Sequence, residues 1–181
     1  MKIRGLIMLL VTCCLILLVL FQSKFYYLCQ SKPLTNKTLL VDLAIEALKS
    51  KEVPVSSIIM YNGRVIGKGY NTVMRDTNIG GHAEINAISD VIKSMGTSTF
   101  NALNRDSLIL ITTYEPCLMC RGAIIENRIK HVEFMKEKTL THWIKNHLKA
   151  LHYEMNKRKI NNNTLQDSLF CLHPDYKPAD N

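Results

Sequence analysis

His82-Ala83-Glu84-Ile85-Asn86-Ala87-Ile88 and Tyr114-Glu115-Pro116-Cys117-Leu118-Met119-Cys120 are the two stretches that decide the architecture of this chain. From His82 onward, Ile85, Ala87, Ile88, Val91 and Ile92 recur at helical spacing, which predicts a helix to about Met95. The apolar run Leu108-Ile109-Leu110-Ile111 that follows is short and β-rich, as a buried strand requires. Cys117 then opens a second helix, with Met119, Ala123 and Ile124 on its inner side.

Upstream, Leu39, Leu40, Leu43, Ala44, Ala47 and Leu48 mark an amphipathic helix with Asn36 or Thr38 as its cap. Two strand-like runs around Met60 and Val65 flank Asn62-Gly63, a pair that tolerates positive φ and therefore signals a tight hairpin. Downstream, His131 to Met135 reads as a short strand, and residues 139–159 as a further helix. Strands alternating with helices predict a three-layer α/β/α sandwich around a mixed sheet, with parallel neighbours at its centre and the hairpin at one side. The tail 160–181 is polar and weakly patterned.

With 181 residues the chain has room for one domain and an appendage. The appendage is at the start: residues 5–21 contain no charge, enough apolar length to span a bilayer. A cleaved signal is the competing reading, but no A-x-A-like site follows, and Phe25, Tyr26 and Tyr27 resemble interfacial anchors. The expectation is therefore an uncleaved single-pass anchor over residues 1–30, a catalytic domain over 36–159, and a tail. Positive charge on the two flanks of the run is balanced, so only the reduced Cys pair argues for a cytoplasmic catalytic domain.

The formal charge of +8 is uneven. Residues 136–159 carry seven basic side chains against two acidic ones, with Trp143 and Tyr153 among them. Such a segment could meet phosphates and stack on bases, lie near anionic lipid, or simply be a solvated helix face. Six cysteines, two of them adjacent within the apolar run and two more spaced three apart, are not a disulfide framework.

Those two, Cys117 and Cys120, sit at a helix start, where the dipole favours thiolates and a spacing of three points both the same way. Alone they could be a redox pair or half of a structural zinc site, but the chain has no second CxxC. His82 alone could be a polar helix-start residue, and Glu84 alone a solvated first-turn acid. Taken jointly they supply one imidazole, two thiolates and a spare carboxylate. Three protein ligands leave zinc an open fourth position, and a carboxylate beside it can carry protons.

The signature H-x-E…P-C-x-x-C resembles that of the zinc-dependent nucleobase deaminases. Within that superfamily the chain is similar to bacterial tRNA adenosine deaminases and related nucleoside and guanine deaminases. The strings VPVSSIIMYNGRVIGKGYN, HAEINAI, TTYEPCLMCRGAII and NRIKHVEF carry the likeness. The resemblance implies a cytidine-deaminase-like fold with one zinc ion on His82, Cys117 and Cys120, and Glu84 as proton shuttle. It also implies substrate contacts at Asn71, Ala83, Glu115 and Pro116, and a homodimer. The implied reaction is hydrolytic removal of an exocyclic amine, with tRNA adenosine as the leading substrate. A free base, nucleoside or nucleotide is the alternative, and a catalytically silent binding module at the membrane a third reading.

Overall fold

The computed structural model describes residues 11–15, 18, 36–158 and 163–172. Contacts divide the chain into two units, Met1–Asp42 and Leu43–Asn181. The expected anchor falls mostly outside the described residues, of which 11–15 are helical. Among the described residues, no helix is long and apolar enough to cross a membrane.

Helix α1 (Lys37–Lys49) leads into the hairpin of β1 (Ser56–Tyr61) and β2 (Arg64–Tyr70). Asn62 and Gly63 turn it with φ of 49° and 76°, the left-handed conformation that Asn-Gly adopts at low cost. A loop then reaches α2 (Ala83–Met95), followed by a short helix α3 (Thr97–Ala102) and β3 (Leu108–Tyr114). Next come α4 (Leu118–Glu126), β4 (His131–Lys136), α5 (Leu140–Asn156) and α6 (Asn163–Cys171).

The sheet order is β2-β1-β3-β4. Both β1–β2 and β1–β3 are antiparallel; β3–β4 alone is parallel. The central pair therefore corrects the expectation of parallel neighbours there. The crossover from β2 through α2 does deliver β3 parallel to β2, but β1 lies between them. Alternation of strands and helices does not reveal such an intercalated strand. Within the weakly patterned tail, Asn163–Cys171 form α6. Helix α3 was also not foreseen, its six residues being too few for periodicity to show.

Five consecutive residues of β1, from Ser56 to Met60, are buried, so both faces of the sheet are covered. On one face Ile59, Leu108 and Leu110 meet Ala87, Ile88 and Val91 of α2, with Phe100 and Ile124 closing the cluster. Each of the larger side chains contributes about 1.5–3 kcal/mol when fully buried. Helix α2 lies unusually close to β2 because Gly67 and Gly69 present no side chain to it. A Cβ on Gly69 would stand 2.5 Å from the backbone O of Ala83 and N of Ala87. That close approach sets the height of the start of α2 above the sheet.

Candidate active site

Two helix starts meet at the ends of the central strands. His82 caps α2 with extended backbone, φ −79° and ψ 150°, and Cys117 caps α4 with φ −76° and ψ 174°. Sequence periodicity places both one residue inside the helix; the structure makes each the cap. A cap residue projects its side chain beyond the first turn, toward the open end of the helix.

There the three side chains converge. His82 Nδ1 lies 3.7 Å from Cys117 Sγ and 3.5 Å from Cys120 Sγ, and the sulfurs are 3.5 Å apart. Tetrahedral zinc, with bonds of about 2.3 Å to sulfur and 2.05 Å to nitrogen, has edges of about 3.8 Å and 3.6 Å. The triangle therefore fits zinc with little movement. Among the described residues, these three are the one group of three or more potential ligands whose donor atoms converge.

The two sulfurs lie within hydrogen-bond distance of each other. Their contact lowers the Cys117 pKa to about 4 and raises that of Cys120. Backbone N–H groups of Met119 and Cys120 in the first turn of α4 also favour the Cys117 thiolate. Zinc would displace thiol protons, since both cysteines ligate as thiolates.

Glu84 stands outside the ligand group but touches it. It is 3% exposed, and its carboxylate accepts from the Cys120 thiol. Burial raises its pKa, a direction suited to a group that must both take and release a proton near neutrality.

The remaining expected substrate residues have visible structural work. Asn71 donates from Nδ2 to the Val53 carbonyl at 3.0 Å, and its Oδ1 accepts from the Ala83 N–H at 2.9 Å. It thus ties the first residue of α2 to the segment before β1. One further N–H and one lone pair of this amide remain for another partner. Ala83 is fully buried and Pro116 is buried. Glu115 accepts from the Lys138 N–H at 2.7 Å, while the Lys138 ammonium donates to the Glu115 carbonyl and lies 5.0 Å from the Tyr114 ring centroid.

Three contributors escaped sequence reasoning. Asn86 donates to the carbonyls of Tyr70 and Gly81 and to Thr72 Oγ1, pinning both ends of the loop before His82. Buried Glu52 accepts from the N–H groups of Met74 and Arg75 at 2.5 and 3.0 Å, gripping the middle of the same loop. Lys138 is the third. Nothing in local patterning signals Glu52 or Lys138, whereas glycines at alternate positions of β2 could have flagged the close approach of a helix.

Comparison with known proteins accords with this geometry. The family described as the cytidine and deoxycytidylate deaminase zinc-binding region matches residues 34–136. A tRNA-specific adenosine deaminase of Buchnera aphidicola is 38% identical over 99 residues, covering 53% of this chain and 58% of that protein. A tRNA-specific adenosine deaminase 2 of Danio rerio is 36% identical over 94 residues, 51% of this chain and 44% of that one. The chain thus spans less than two thirds of these curated relatives. The solved guanine deaminase of Bacillus subtilis superposes with a TM-score of 0.58 at 26% identity, covering 80% of this chain and 98% of that one. With more than half its length matched, and with the motif residues converging as zinc requires, the chain belongs to the cytidine and deoxycytidylate deaminase zinc-binding family.

Proposed function

We propose that this protein is a zinc-dependent hydrolytic deaminase of a nucleobase, with adenosine in tRNA as its leading substrate. The observation that carries the reading is the His82–Cys117–Cys120 triangle, of zinc dimensions, with a buried carboxylate beside it that is not needed as a ligand. Zinc held there would supply a Lewis acid that makes water nucleophilic at neutral pH.

The chain's own residues do the rest. Glu84 takes a proton from the attacking water and passes it to the ring nitrogen next to the reacting carbon. A second proton, carried by the same carboxylate, goes to the departing amine. The water oxygen ends as the carbonyl of the product, the carbon–nitrogen bond breaks, and ammonia leaves. Buried Ala83 and Pro116 border the ligands and help keep bulk water away.

Substrate preference rests on the tRNA-acting relatives, supported by a solved structure from a study of A-to-I editing by tRNA:A34 deaminases (TM-score 0.50, 29% identity). The likeness to the guanine deaminase favours a free base as the second reading, because it extends over nearly all of that chain. The test is ammonia release by the zinc-loaded protein from anticodon stem-loops, guanine, cytidine and nucleotides. Inosine in the stem-loop is expected. Turnover of guanine alone would shift the reading to the free base, and no turnover at all would refute it.

Glu84→Gln should keep zinc and lose activity by roughly 10²–10⁴-fold. Activity surviving that change would refute the proton route while leaving the metal site intact. The proposal extends to location: the uncharged run at 5–21 acts as an uncleaved anchor, with the zinc domain on the reducing, cytoplasmic side. Carbonate extraction of membranes should leave the full chain in the pellet, and its release would contradict this.

A further inference from the structure

Helix α5 makes a surface that the deaminase reading does not use. None of its 17 residues is buried. Leu140, Ile144, Leu148, Leu151 and Met155 form a single stripe, and all five are between 44% and 77% exposed. At about 100° per residue they span roughly 80° of the helix circumference. His152, Lys145 and Lys149 occupy the adjoining arc. The half-buried positions, Trp143, Asn146 and His147, lie on the other flank, and the stripe faces solvent.

Charge selects among the occupants such a face could take. Lys145 and Lys149 form no ion pair among the described residues, and the helix's one acid, Glu154, is paired with Lys157. RNA would satisfy the lysines, but its base faces stack on aromatic side chains, whereas the stripe is aliphatic. An anionic bilayer accepts both, with aliphatic groups at the acyl boundary and lysines reaching phosphates beside it. Helix α6 does not cover the stripe, because its own Leu165, Leu169 and Leu172 are also exposed.

We propose that α5 is an interfacial helix that lies on an anionic lipid surface, its aliphatic stripe in the headgroup–acyl boundary and Lys145 and Lys149 at the phosphates. This inference goes beyond the deaminase reading and stands on different residues. It also supplies a contact independent of residues 5–21.

The test reads the helix locally, so that an anchor elsewhere in the chain does not mask the answer. Full-length, zinc-loaded protein is mixed with vesicles of phosphatidylcholine alone, or with phosphatidylglycerol in a two-to-one ratio. Amide hydrogen exchange over residues 140–156 is then followed by mass spectrometry. Exchange at least about tenfold slower with the anionic vesicles, and reversed by high salt, is expected. Lys145→Gln with Lys149→Gln should weaken binding to the anionic vesicles by about thirtyfold, the product of two basic residues near a charged surface, and so reduce the protection. Leu148→Glu with Leu151→Glu should abolish it, and both double variants should keep their zinc.

Equal exchange in neutral and anionic vesicles would overturn the proposal without recourse to any variant. So would protection already present without vesicles or growing with protein concentration, which would assign the stripe to α6 or to a second copy. Protection conferred by a stem-loop RNA instead of vesicles would assign the face to nucleic acid.

Discussion

Gly69→Ala puts the positioning of the zinc site under direct test. The added Cβ would sit 2.5 Å from Ala83 O and Ala87 N, and 2.9 Å from Asn86 C, all of them backbone atoms of α2. Cβ contacts shorter than 3.0 Å essentially do not occur, and 3.4 Å is an ordinary one. The start of α2 must therefore retreat from β2 by about 0.5–0.9 Å. Zinc–ligand distances tolerate about 0.2 Å, and His82 is the cap of the turn that moves. Zinc affinity should fall about 10–100-fold, the range seen when a ligand loses the partner that orients it.

Overpacking of this kind costs about 1–3 kcal/mol, partly offset by about 0.4–1 kcal/mol from the less flexible unfolded chain. Gly122→Ala is the control. It lies on the exposed face of α4, close to the same site in sequence, yet its Cβ would meet nothing within 4 Å. It should be neutral to stabilising by about 0.5–1 kcal/mol. Zinc per chain by mass spectrometry in a zinc-buffered solution, with thermal unfolding alongside, measures both effects. If Gly69→Ala keeps full zinc and an unchanged melting temperature, the helix start is not held by this contact and the reasoning fails.

Cys117→Ser and Cys120→Ser should each lose zinc from the purified protein, and a chelator should remove both metal and activity from the parent chain. Glu52→Ala leaves the N–H groups of Met74 and Arg75 without their buried acceptor, at about 1–3 kcal/mol. Glu52→Gln, which keeps an acceptor, should recover part of that. Limited proteolysis within residues 71–81 reads the loosened loop, and equal cleavage of the three proteins would count against the clasp. Asn71→Asp turns a donor facing the Val53 carbonyl into a second acceptor. Its thermal stability should fall below that of the parent at neutral pH and recover as the carboxyl protonates. A loss that is the same at every pH would locate the effect elsewhere.

Much of this molecule is legible without coordinates, and for identifiable reasons. Asn62-Gly63 announces its turn because only a few residues accept left-handed backbone. Helix α2 is legible from an apolar period that thirteen residues are long enough to display. His82, Glu84, Cys117 and Cys120 stand out because metal and proton chemistry demands these residue types at set distances from helix starts, a local property of the chain. Tertiary structure alone decided what depends on distant segments meeting. It inserted β1 between β2 and β3, since strand order is a matter of non-local pairing that alternation does not encode. It brought Glu52 to a loop more than twenty residues away, and gave Asn71 two backbone partners from separate segments. It also left the stripe of α5 facing outward, where the same periodicity would equally have suited a buried helix. Local chemistry was written in short motifs, while the height, register and exposure of each element followed from which surfaces the folded chain pressed together.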